Sequence, residues 1–186
     1  MSRQDELAAE RSTASANGDE YAVSTDLFPP CDAGAPLPHV IADGHRTFLT
    51  YLVAVHDPNW DGTYVTVKNS ASGAVESVAV VEFRSCRAFT LGPPNDEALS
   101  GHRLWGKGLE FYTPHVVENS RWLTELEQRN RVHAHHSPSL FAGLVHYVFT
   151  FHDETFECIT GSHEVTHISS TYAEVLHGIV DRATGR

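Results

Sequence analysis

Lysine is nearly missing from this chain, with two residues, Lys68 and Lys107, in 186. Lysine and arginine together number 13 against 24 acidic residues, and the net charge is −11 with histidine neutral. Phosphate binding draws on clustered cations, so this balance argues against nucleic acid or an anionic membrane as partner. Cysteine is sparse as well: Cys31, Cys86 and Cys158 form no C-x-x-C pair and are odd in number. That suits reduced thiols in a cytoplasmic setting better than a disulfide framework. No run approaches the ~18 apolar residues of a membrane span. Met1 to Glu20 carries acids and no apolar stretch, so it does not read as a secretory signal. The fingerprints G-x-G-x-x-G and G-x-S-x-G are missing too, which removes the sequence case for a Rossmann oxidoreductase or an α/β-hydrolase.

What the chain has in excess is histidine, 13 residues. Imidazole is the side chain that titrates nearest neutrality, so the net charge should depend strongly on pH between neutral and mildly acidic conditions. Some of these histidines are candidates for a metal or acid–base site, and a His-rich surface is the plainer reading.

Residues 1–38 are acidic and contain Pro, Ala and Ser. They read as a partly disordered tail before one domain over 39–186. Thr47 to Val55 is β-rich and nearly continuous in apolar character, as expected of a strand covered on both faces. Asp61-Gly62 is a hairpin signal, Trp60 reads as covering a core edge, Thr63 to Asn69 alternates, and Ala74 to Leu91 gives one long strand or two. Phe111 to Val117 is strand-like, with Pro114 assigning it to an edge or a bulge. Asn119-Ser120 caps a segment over Arg121 to Arg131 with a narrow apolar stripe, and Ser137-Pro138 opens a short helix. Val145 to His152 alternates cleanly, placing Tyr147, Phe149 and Phe151 on one face and His146, Val148, Thr150 and His152 on the other. A strand over His163 to Ser169 follows. Thr171 and Glu174 form a capping box ahead of apolar residues at i, i+3, i+4 and i+7. The predicted class is α+β, a mainly antiparallel sheet of about six or seven strands with two to three packed helices.

Gly101 to Gly108 (GHRLWGKG) nearly spells a phosphate loop. Gly108 stands where the Mg²⁺-binding hydroxyl belongs, and no helix is predicted to follow, so nucleotide binding is not expected. In this loop Trp105 is a candidate for stacking on a ligand, with Asn95 and His102 beside it. His133 and His135, about 7 Å apart on one side of an extended chain, could share a divalent metal such as zinc if a third ligand joined them. Otherwise they belong to a solvated loop and no cofactor is expected.

A turn at Asp153-Glu154 would place Thr150 opposite Glu157 and His152 diagonal to it, about 7 to 8 Å away. His152, Glu157 and Asp153 are therefore the candidate acid–base residues. His146, six residues from His152 and about 20 Å away along a strand, cannot share an ion with it.

The runs Gly92-Pro93-Pro94-Asn95-Asp96-Glu97-Ala98, Asn119-Ser120-Arg121-Trp122 and Phe151 to Cys158 resemble a family of small bacterial proteins of unassigned function, over roughly residues 81–159. The resemblance implies a family core there and no reaction.

These features favour a soluble acidic module that binds a small molecule or a protein and serves in recognition or regulation. The alternative is a hydrolase- or lyase-type enzyme using His–carboxylate chemistry, with or without a metal. A further alternative is an acidic inhibitor or immunity-type protein that caps a basic partner.

Overall fold

Strict alternation of large apolar side chains in β-rich runs forces two sheets to face each other, because each strand must hide one face. A computed structural model describes residues 17–55, 68–71 and 73–185. Among them are nine strands: β1 (Tyr21–Ser24), β2 (His39–Ala42), β3 (Arg46–Leu52), β4 (Val75–Arg84), β5 (Ala88–Gly92), β6 (Pro114–Glu118), β7 (Val145–Thr150), β8 (Thr155–Thr160) and β9 (Ser162–Thr171). The described residues also form helices α1 (Arg121–Asn130) and α2 (Tyr172–Thr184), with short 3-10 turns at Leu99–Gly101 and Pro138–Leu140. The α+β, mainly antiparallel class holds, and the strands divide into two sheets, β1-β6-β7-β8-β5 and β2-β3-β4-β9.

The core between the sheets is aromatic. Leu49, Tyr51, Ala79, Val81 and Phe83 from β3 and β4 meet Tyr147, Phe149, Phe156 and Cys158 from β7 and β8. Phe83 and Phe156 stack with ring centroids 5.7 Å apart, a geometry worth more than area burial alone. The outer face of the four-stranded sheet is covered by α2, whose Tyr172, Val175 and Ile179 pack on Phe48, Leu52, Val78 and Val80. The predicted capping box is present, with Thr171 and Glu174 bonded reciprocally. These two layers explain why β3 is buried on both faces.

The other outer face is covered by the irregular segment 93–113 and by α1. Leu99, Leu104 and Leu109 enter from the segment and pack on Ala22, Val117 and Val148 of the five-stranded sheet.

Three expectations change. The folded unit begins well before His39, because β1 pairs with β6 and Phe28 is buried against Phe83, Tyr147 and Phe149. Apolar residues in an otherwise polar stretch, Tyr21 and Phe28, carry that part of the chain into the core. Consequently β6 is internal, flanked by β1 and β7, and Pro114 is tolerated as its first residue. By sequence, Arg84 or Arg87 is the expected partner of Asp96 or Glu97; in the structure Arg84 pairs with Glu82 and Glu164. The expected turn at Asp61-Gly62, most of the run Thr63 to Asn69, Trp60 and the start of the tail lie outside the described residues.

The segment crosses β1 at close range, where the Ala22 N–H donates to the Lys107 carbonyl at 2.8 Å. Gly108, at φ +86°, sits so near that an added Cβ would lie 2.1 Å from the Ala22 carbonyl oxygen. Gly106, at φ +71°, has open space where a Cβ would lie. Gly108→Ala should therefore cost at least about 2 kcal/mol in urea unfolding, and Gly106→Ala only about 1 kcal/mol. Equal losses at the two positions would refute the close approach.

Candidate functional site

The alternating stripe opposite the aromatic core is polar, and it is buried nonetheless. His146, Thr150, Thr155, Glu157 and, on β6, His115 are all at most 8% exposed. Buried polar groups need partners, and the segment 93–113 supplies them. Thr155 Oγ1 donates to the Pro94 carbonyl at 2.8 Å, and Thr150 Oγ1 donates to that of Glu110 at 2.8 Å. The Glu110 N–H donates to His115 Nε2 at 3.1 Å.

Glu157 is the centre of this face. Arg103 grips it with both terminal nitrogens, at 3.1 Å to Oε1 and 2.7 Å to Oε2. His102 Nε2 lies 3.3 Å from Oε1 and His146 Nε2 3.0 Å from Oε2. The tautomers follow from the other ring nitrogens. His102 Nδ1 accepts the Leu104 N–H at 3.2 Å, so its Nε2 carries the proton and donates to Glu157. Burial pushes the His146 pKa down, so this ring is neutral. With its Nε2–H on Glu157, its Nδ1 accepts the hydroxyl of Ser120 at 2.7 Å. Ser120 in turn accepts the Leu123 N–H at 3.1 Å as N-cap of α1.

Burial alone would raise the Glu157 carboxyl, but the hydrogen bonds from His102, His146 and Arg103 outweigh it and hold the group well below the usual carboxylate range. Glu20, 2% exposed, extends the network. Its Oε1 accepts the Arg121 N–H at the start of α1 at 2.9 Å, and its Oε2 lies 3.6 Å from Arg103 Nε. Trp122 lies edge-on to His146, with ring centroids 5.2 Å apart.

Glu157 thus receives four N–H donors, which occupy the lone-pair sites of a carboxylate. It is an anchor rather than a free base: it ties the segment, through His102 and Arg103, to the sheet and to α1.

Of the residues singled out in the sequence, Glu157 and His102 belong to this network. His152 does not, because the hairpin pairs Thr150 with Thr155 and Val148 with Glu157. The turn spans Phe151 to Glu154, with the Phe151 N–H donating to the Glu154 carbonyl at 2.9 Å. That register makes His146, not His152, the diagonal neighbour of Glu157. His152 sits at the surface 3.1 Å from Asp153 and 3.9 Å from Asp96. Its pKa is raised, chiefly by the hydrogen bond with Asp153. Asp153 is an exposed turn residue.

Asn95 serves locally, accepting the Ala98 N–H at 3.1 Å. His133 and His135 are exposed in the loop after α1, their ring centroids 5.8 Å apart, and His133 Nδ1 accepts the His135 N–H at 3.1 Å. Among the described residues no group of three or more His, Cys, Asp or Glu side chains is arranged to hold a metal ion, at His133 and His135 or elsewhere. Trp105 is 42% exposed, and its ring meets that of Phe111, itself 44% exposed, edge to face at 5.6 Å.

Sequence reasoning missed Ser120, Arg103, Glu20 and the role of His146. The shared face of His146 and Glu157 was a usable signal; the contacts of Glu20 and Arg103 had none. No family model matches the chain, and comparison with curated proteins and with solved structures gives no match either.

Two measurements follow from this geometry. Glu157→Gln leaves the Arg103 charge with only the longer contact to Glu20, at 3.6 Å, and should cost about 2 kcal/mol in urea unfolding. That is less than the ~3–5 kcal/mol of a fully buried pair, since the Arg103 side chain is 37% exposed to water. Burial of His115 depresses its pKa to about 4, so the unfolded chain, with a value near ~6.5, binds the proton first. The contribution of His115 to stability is therefore full above about pH 6.5, and about 3 kcal/mol of it is lost as pH drops through that window to about 4. Unfolding midpoints at pH 7 and pH 4 should converge in His115→Gln relative to the parent, and an unchanged difference would contradict the assignment.

Proposed function

We propose that the protein is a binding module that recognises a small molecule or a protein partner through the surface of its 93–113 segment. The observation that carries this reading is Trp105 packed edge to face on Phe111, both over 40% exposed, on a segment pinned from beneath. Leu99, Leu104 and Leu109 are buried under it, and His102 and Arg103 are bound to Glu157. Large aromatics dominate binding energy where they are held in place, because a preorganised anchor loses little entropy on association. His102 supports this surface from beneath through Glu157, and Asn95, half-buried at the start of the segment, stays a candidate contact beside it. A cytoplasmic location belongs to the same reading, supported by three free cysteines.

A second reading rests on a different observation. Ser120, His146 and Glu157 form a hydrogen-bonded chain of hydroxyl, imidazole and carboxylate, and Ser120 and His146 border a cleft of about 550 Å³. That order is the order of a nucleophile, its base and an orienting acid. Against a hydrolase stand two facts: the Ser120 oxygen already accepts from Leu123, and the Arg121 N–H, a natural oxyanion donor at a helix start, is taken by Glu20.

Saturation-transfer NMR with indole- and phenyl-bearing fragments tests the first reading. Binding should be lost in Trp105→Ala and in Phe111→Ala, while stability changes by no more than about 1 kcal/mol, as expected of exposed positions. Fragments that bind equally well to both variants would overturn it. A fluorophosphonate probe separates the second reading: labelling that disappears in Ser120→Ala would establish a serine hydrolase, and the binding-module reading predicts none.

A further inference from the structure

Helix α1 is amphipathic, yet none of its residues is fully buried. Beside it, the turn at Pro138–Leu140 presents Leu140, 51% exposed, and Phe141. Between them lies a groove of about 320 Å³ lined by Leu126, Leu140, Phe141, Asn130, Arg129 and Arg87. Its floor is hydrocarbon, and its polar lining consists of two guanidinium groups and one amide, with no carboxylate.

In a chain of net charge −11, this lining carries two arginines and no acidic residue. Arg87 has no carboxylate partner among the described residues, and the one partner of Arg129, Glu125, stands 3.7 Å away with both side chains over half exposed. A pair of that kind is worth little and yields readily to a better anion. The walls are fixed. The Arg87 N–H donates to the Ile159 carbonyl at 2.7 Å, and the Phe141 N–H donates to that of Pro138 at 3.0 Å. Glu127 ties the loop between the walls to α1, holding His136 at 2.8 Å and Arg131 at 2.8 Å.

We infer that this groove is a second binding site, separate from the Trp105 surface, and that it takes a small amphipathic carboxylate. The apolar tail lies on Leu126, Leu140 and Phe141, and the carboxylate is bound by Arg87 and Arg129. Guanidinium matches carboxylate with two parallel hydrogen bonds, and the long-range repulsion from the acidic surface is damped beyond about 8 Å at physiological salt. The volume is at the small end of the ~300–1,000 Å³ typical of ligand pockets, which suits a single chain or ring and not a partner helix.

Decanoate, decan-1-ol and decyltrimethylammonium, each below its aggregation threshold, test the site by calorimetry and amide NMR on the full chain. Decanoate should bind with shift changes confined to α1 and residues 138–142, at least about tenfold more tightly than the ammonium analogue. Arg87→Gln with Arg129→Gln should weaken decanoate about tenfold or more and leave decanol unchanged, whereas Phe141→Ala should weaken both. Both arginines are exposed, so the double variant should keep the parent unfolding midpoint. Decanoate that fails to bind, that binds no better than the ammonium, or that ignores the arginine substitutions overturns the inference. Trp105→Ala should leave decanoate affinity unchanged, so the failure of one site is distinguishable from the failure of the other.

Discussion

An ionised carboxylate under an outer layer of the fold, Glu157, is the constraint on which that half of the molecule depends. Taking it out of water is tolerable only because Arg103, His102 and His146 together supply four donors. Two of those residues come from a segment with little regular structure of its own. The need to satisfy one buried charge therefore orders the chain from Pro93 to Thr113 over the sheet. Glu20 and Ser120 link the start of α1 to the same centre, so strand, segment and helix are coupled through one set of hydrogen bonds.

The four-stranded sheet meets the same problem by a different route. Its outer face is apolar and is covered by an amphipathic helix, α2, whose capping box and apolar spacing are local properties. The five-stranded sheet has a polar outer face, and its cover is an irregular segment tied down by Thr155, Thr150 and His115. A helix cannot do this, since its backbone groups are already used internally. An irregular segment has N–H and C=O groups to spare, and each bond to the sheet removes an unpaired group on both sides. That trade leaves Trp105 and Phe111 on a surface that is irregular and yet held in place.

Much of the fold was legible along the chain. The alternation in Val145 to His152 gathered Tyr147, Phe149 and Phe151 on one face and put His146 on the face of Glu157, and the first of these faces is the core. The strands read at Thr47 to Val55 and His163 to Ser169 lie within a few residues of those observed, Arg46–Leu52 and Ser162–Thr171, and the cap at Thr171 is present, because each depends on spacing within a few residues. The candidate site was legible only in part. Glu157 and His102 were singled out, but the assignment of His152 as partner of Glu157 rested on placing the turn at Asp153-Glu154. Moving it to Phe151–Glu154 keeps every side chain on its face and shifts the pairing by two residues, which exchanges one histidine for another. Side-chain pattern fixes the face, and only the turn and its packing fix the register.

By itself the sequence determined the composition of each layer: an aromatic face, a polar face, an apolar helix and an acidic, lysine-poor surface. Those follow from period and hydrophobicity. Only the tertiary structure decided that the polar face is buried, that Tyr21 to Phe28 belong to the sheets and their core, and that His102 and Arg103 meet Glu157 across 55 and 54 positions of chain. The physical reason is that a polar stripe has the same sequence signature whether water or a backbone satisfies it. What separates the two cases is a contact between distant residues, which no local pattern records.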